Sequence, residues 1–160
     1  MAVGKPDTFE FYYRMVLSKS SGYALRGILY MAAVQEEKKH IQLQEIAEQL
    51  EAPRHFLGKV MKRLSKQGII DSTKGHAGGY MLNESTLSTP LMTVITLIEG
   101  EDLFNTCVIG FKKCNEKKPC PLHNQVLVWK NQMIKMFSET KIGDLLKDDK
   151  PAFIKSLVTS

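Results

Sequence analysis

The residues with the most chemistry to offer lie in one short segment, Cys107-x6-Cys114-x5-Cys120-x2-His123, which holds all three cysteines of the chain. Thiolates held close together repel one another, and they are strong ligands for soft metals and iron–sulfur clusters. Structural zinc sites usually pair cysteines roughly two to four residues apart. Both intervals here are wider, which favours an iron–sulfur cluster over zinc, with metal-free redox thiols as the remaining reading. Cys120 lies between Pro119 and Pro121 and is expected at the start of a helix, where unpaired N–H groups favour negative charge. His123, three residues on, is expected on the same face of that first turn as a fourth ligand. Lys112, Lys113, Lys117 and Lys118 surround the loop and would offset the charge of an anionic cluster.

A second chemistry is electrostatic. The net charge is +5, and it resides in one stretch. Pro53 to Leu82 carries Arg54, Lys59, Lys62, Arg63, Lys66 and Lys74 against Asp71 alone, while charges balance over the rest of the chain. A confined basic patch points to a polyanionic partner, the other reading being a solvated lysine-rich face.

The elements that must position these residues follow from periodicity. Tyr23, Ala24, Ile28, Met31 and Ala32 recur at helical spacing to about Gln35, with Ser20 or Ser21 as the expected N-cap. Leu43 to Leu50 reads as a short helix with Leu43, Ile46, Ala47 and Leu50 on one face. After the turn Glu51-Ala52, Pro53 suits the first position of a helix that runs to Gln67, and Gly68 suits the left-handed residue that ends it. Leu57, Val60, Met61 and Leu64 form its apolar back; His55, Lys59, Lys62 and Lys66 form a cationic front. Arg54, His55 and Lys59 are candidates for base readout, Lys62 and Lys66 for phosphate contact. Gly58, in mid-helix, permits a close backbone approach to DNA or has no role. Ile69-Ile70 and Tyr80-Met81-Leu82 flank the glycine-rich turn 74–79, the pattern of a β-hairpin. Lys74 and His76 at its tip are shaped for the minor groove or a phosphate. This order is that of a winged helix-turn-helix.

In the second half, Thr89 reads as an N-cap with Pro90 at the first helical position, and Gly100 ends that helix after Glu99. Pro121 opens a long helix to about Ser138, in which Leu122, Val126, Trp129, Met133 and Met136 make a seam two heptads long. Leu127, Val128, Ile134 and Phe137 form a second apolar strip, so one side should meet its own domain and the other a second copy of the chain. The fold class expected is mainly α with a small β-hairpin: a winged helix-turn-helix plus a long C-terminal dimerisation helix. The boundaries expected are an N-terminal extension (1–17), the DNA-binding domain (18–87), the cluster loop with its dimerisation helix (88–146) and a tail (147–160). No apolar run reaches membrane-spanning length, and an odd number of cysteines suits a reducing cytoplasm. No phosphate loop or nucleophile–base pair marks an enzyme.

The chain resembles the IscR/NsrR-type iron–sulfur transcriptional regulators of bacteria. The resemblance is carried by Leu17-Ser18 with Tyr23-Ala24-Leu25-Arg26, by Gly68-Ile69-Ile70, by the wing Lys74 to Tyr80, by the cysteine triad, and by Ile142-Gly143-Asp144-Leu145. It implies a homodimer joined through the helix after the triad and a [2Fe–2S] or [4Fe–4S] cluster whose state tunes operator affinity in response to cluster supply, redox state or nitric oxide. It implies that Cys107, Cys114 and Cys120 are cluster ligands, that His123 matches the fourth ligand of the cluster-assembly regulators, and that Lys74 replaces a wing arginine. Three departures stand out. The first cysteine interval is one residue longer than usual. Gly22 occupies the position of an acidic ligand in nitric-oxide sensors, and Gly58 that of a glutamate used in site selection. The alternative to a cluster regulator is a zinc-stabilised or thiol-redox-sensing winged-helix repressor.

Overall fold

The computed structural model describes residues 17–107, 109 and 115–147. The aromatic residues Phe9 to Tyr13, Lys112, Lys113, Cys114 and the tail beyond Lys147 lie outside these. Five α-helices and one hairpin make up the described chain: α1 (Lys19–Val34), α2 (Leu43–Gln49), α3 (Arg54–Lys66), β1 (Asp71–Thr73), β2 (Gly79–Met81), α4 (Leu91–Glu99) and α5 (His123–Glu139). Short 3-10 turns occupy Thr86–Ser88, Glu101–Phe104 and Ile142–Leu146. The architecture is the expected one, mainly helical with a two-stranded wing.

α1 packs against both α3 and α4, and α4 against α5. Ile28 and Met31 of α1, Ile46 of α2, Leu57, Met61 and Leu64 of α3, and Val94 and Ile95 of α4 are fully buried in one apolar cluster that also takes in Phe137 and Ile142. Each such side chain contributes roughly 1.5–3 kcal/mol by leaving water. The core therefore continues from the winged helix into α4 and the foot of α5. Beyond α5 the chain returns to α4: the Leu91 N–H donates to the Thr140 carbonyl (2.9 Å) and the Ile142 N–H to the Thr89 carbonyl (3.0 Å).

Four helix starts differ from expectation by one to three residues; Pro53, expected as the first residue of α3, precedes it as its N-cap. α1 begins at Lys19, capped by Ser18, whose Oγ accepts from the Ser21 N–H at 3.4 Å. Ser21 is buried inside the helix because its hydroxyl donates to Glu99 Oε1 (2.6 Å) at the end of α4. Thr89 does not cap α4; Pro90 precedes the first turn, and the Thr89 hydroxyl donates to the Ser85 carbonyl instead. α5 begins at His123 rather than Pro121, so Cys120 stands three residues before the helix.

Candidate DNA-binding face and cysteine loop

α3 is divided as its sequence pattern requires. Leu57, Val60, Met61 and Leu64 are buried, and Arg54, His55, Lys59, Lys62 and Lys66 are all exposed. The helix ends in a Schellman motif: the Ile69 N–H reaches the Leu64 carbonyl (3.1 Å), the Gly68 N–H the Ser65 carbonyl (3.1 Å), and Gly68 has φ 71°. Arg63 is set apart from the cationic front, since its guanidinium donates to the Ile98 carbonyl of α4 at 3.3 Å. Gly58 serves packing: a Cβ there would lie 3.1 Å from Leu43 Cδ2 of α2. The glycine lets the two helices of the helix-turn-helix approach closely.

The wing carries exposed Lys74 and His76 at its tip. Strand pairing runs Asp71 to Met81, Ser72 to Tyr80 and Thr73 to Gly79. Its position relative to α2 and α3 is set by contacts the sequence does not announce. Ile41 and Tyr80 exchange both backbone hydrogen bonds, each 2.9 Å. Gln42, just ahead of α2, donates its side-chain amide to the Gly78 and His76 carbonyls. Gly79 has φ 152°, and a Cβ there would fall 2.6 Å from the Ile41 carbonyl oxygen. The Ser65 and Ser72 hydroxyls bond at 2.8 Å, tying the end of α3 to β1. Wing, α2 and α3 are thus joined beside one cationic surface, with Gln42 tying the wing to the start of α2; a lone glutamine before a helix carries no signal of partners some 36 residues away.

The cysteine loop lies between the Glu101–Phe104 turn and α5. Cys107 is buried, Cys120 half-buried, and His123, the first residue of α5, is buried. The His123 N–H donates to the Cys120 carbonyl at 2.9 Å. Lys117 and Lys118 are exposed. Among the described residues no three His, Cys, Asp or Glu side chains converge on a metal-sized site, and Cys114 is not among them. The chemistry of the donor set, two thiols and an imidazole with two of the three buried, fits a soft-metal or iron–sulfur occupant. A second feature fits it too: Lys130, one heptad along α5 from His123, is buried, and its ammonium donates to the Thr106 carbonyl at 2.5 Å. Its place on the inner face, in register with His123 and Phe137, was the available signal.

α5 divides its apolar residues between two adjoining strips. Phe137 is buried, and Met133 packs half-buried against the core. Val126, Leu127 and Ile134 are half-buried. Leu122, Trp129 and Met136, spaced by sevens, stay 42%, 43% and 50% exposed, and Val128 60%. No helix among the described residues is long and apolar enough to cross a membrane.

Comparison with known proteins agrees with this architecture. CymR, the global cysteine regulator of B. subtilis, superposes with a TM-score of 0.64 at 20% identity, over 82% of this chain and 95% of its own. IscR of T. potens does so with a TM-score of 0.60 at 18% identity, over 86% and 90%. These are likenesses of fold, and the fold is the winged helix of such regulators. In sequence, a protein of Aquifex aeolicus named as an HTH-type transcriptional regulator is 32% identical over 134 residues, 82% of this chain and 92% of that one. Residues 17–148 match the Rrf2 family, described as an iron-dependent transcriptional regulator. With a helix-turn-helix, a wing and a match along most of its length, this chain belongs to the Rrf2 family of transcriptional regulators.

Proposed function

We propose that this regulator binds an operator in double-stranded DNA as a homodimer, and that an iron–sulfur cluster on Cys107, Cys114, Cys120 and His123 tunes its affinity. The observation that carries the reading is continuity: the cysteine loop runs directly into α5, and α5 bears both the exposed apolar strip and the contact with α4. When bound, the cluster supplies a redox- and supply-sensitive group. The protein supplies the rest: thiol and imidazole ligands from the loop, and a helix able to reset the distance between two recognition helices. Arg54, His55 and Lys59 would read bases, while Lys62, Lys66, Lys74 and His76 would hold phosphates or the minor groove. The family's description as iron-dependent supports the cluster. The same family supports a regulatory rather than an enzymatic role.

The deciding experiment is purification without oxygen, followed by a visible spectrum, iron and sulfide counts, and DNA affinity with and without cluster. A coupling of about 1–3 kcal/mol would change affinity roughly 5- to 150-fold. Colourless protein that resists reconstitution, or equal affinity in both forms, would overturn the reading. The alternative, a zinc-stabilised or thiol-sensing repressor, draws on one observation: CymR of Staphylococcus aureus, similar in fold, has been solved in an oxidised form. DNA affinity that responds to zinc or to thiol oxidation in iron-free protein would establish it.

A further inference from the structure

Lys130 is the only lysine or arginine buried among the described residues, at 7% exposure. It follows His123 by seven residues and precedes Phe137 by seven, so all three lie on the inner face of α5. Its ammonium donates to the carbonyl of Thr106, the peptide group that leads into Cys107. Among the described residues no carboxylate pairs with it: the ion pairs there are Lys38–Glu45 and Lys147–Asp144.

A buried ammonium held by one neutral carbonyl is an expensive choice. An ion gives up hydration on burial, and an apolar side chain of similar length often serves as well or better. Methionine would fill this position on the inner face without that cost. The charge makes sense if an anion sits beside it, and thiolates bound to iron and sulfide are anionic. Outer groups that hold a ligand's backbone and balance its charge tune the metal they surround.

We propose that Lys130 is a positioning residue for the iron–sulfur group: its ammonium holds the Thr106–Cys107 peptide against α5 and supplies the positive charge that balances the thiolate-bound cluster. This rests on the cluster reading above. It also gives that reading a mechanical link. Lys130 is adjacent in sequence to Trp129 of the exposed strip, so a movement of the Cys107 segment pulls on α5 where a second copy would pack.

The test uses the full chain, reconstituted anaerobically with ferrous iron and sulfide, as wild type, Lys130→Met, Lys130→Gln and Lys130→Arg. The expected result is that Lys130→Met keeps its helical circular dichroism and a cluster-free melting temperature no lower than wild type. It should nonetheless lose iron to a chelator roughly 10- to 100-fold faster, with a shifted visible band. Lys130→Arg should recover much of the retention. Lys130→Gln keeps a donor and drops the charge; faster loss there supports the balancing role. Wild-type retention and spectrum in Lys130→Met or Lys130→Gln would overturn the proposal, as would cluster loss that merely tracks a lowered melting temperature. Wild-type protein that takes up no iron and sulfide would overturn the cluster reading itself, and this is read before any variant is compared.

Discussion

Lys62 and Arg63 are neighbours in α3 with different surroundings. Lys62 is exposed on the cationic front, whereas Arg63 is turned to the Ile98 carbonyl. Lys62→Ala should weaken binding to every duplex alike and reduce the slope of log affinity against log salt by about 0.9, the value for one phosphate contact. Arg63→Ala should leave that slope unchanged. Fluorescence anisotropy over a potassium chloride series checks both, and an effect of Lys62→Ala confined to one base position would refute its phosphate role. At this scale the sequence was informative where side chains sort by polarity, as on α3. It was silent where the partner is a distant backbone group, as for Gln42 with the Gly78 carbonyl or Gly58 beside Leu43.

Between elements, Glu99 is the polar fastening. Its Oε1 accepts from the Ser18 N–H (2.7 Å) and the Ser21 hydroxyl (2.6 Å), joining the end of α4 to the start of α1. Burial pushes the Glu99 carboxyl up, but the hydrogen bonds from Ser18 and Ser21 outweigh it and hold the group below its ordinary value of 4.5. A folded-state value below the unfolded one means that the ionised carboxylate stabilises the fold. That contribution is present above the ordinary value and is lost as pH falls through the lowered one. Glu99→Gln should cost roughly 1–3 kcal/mol near pH 7 and flatten the acid limb of stability. Urea melts at neutral pH and in the carboxylate range measure this; an unchanged acid limb would show that Glu99 does not carry it. The existence of α1 and α4 was legible from their apolar periodicity, but Ser21 as a buried donor was not, because its acceptor lies 78 residues away.

For the molecule as a whole, the exposed strip of Leu122, Trp129 and Met136 sets the expected assembly. Large aromatic anchors at the centre of an interface commonly cost about 2 kcal/mol or more when removed. In the homodimer proposed above, Trp129→Glu should therefore raise the dissociation constant roughly 30-fold or more, by the usual 1.4 kcal/mol per decade. Sedimentation velocity measures it, with circular dichroism to show that the helices remain. A variant that sediments as wild type would move the interface elsewhere. A monomeric variant should also bind DNA less tightly, since two recognition helices would no longer act as one unit.

The chain's own pattern determined the helix order, the wing, the cationic front of α3 and the concentration of thiols before α5. These are properties of spacing and residue type within a few turns, where apolar burial and charge solvation act locally. Only the tertiary structure decided which α5 residues face inward, placing Met133 and Phe137 against the core and leaving Trp129 and Met136, with Leu122 just ahead of the helix, exposed. It alone set Lys130 against the Thr106 carbonyl and fastened the wing through Gln42 and Gly79. A buried polar group must find its partner wherever the packed chain brings one within hydrogen-bond reach, and that meeting depends on distances in space that no local periodicity encodes.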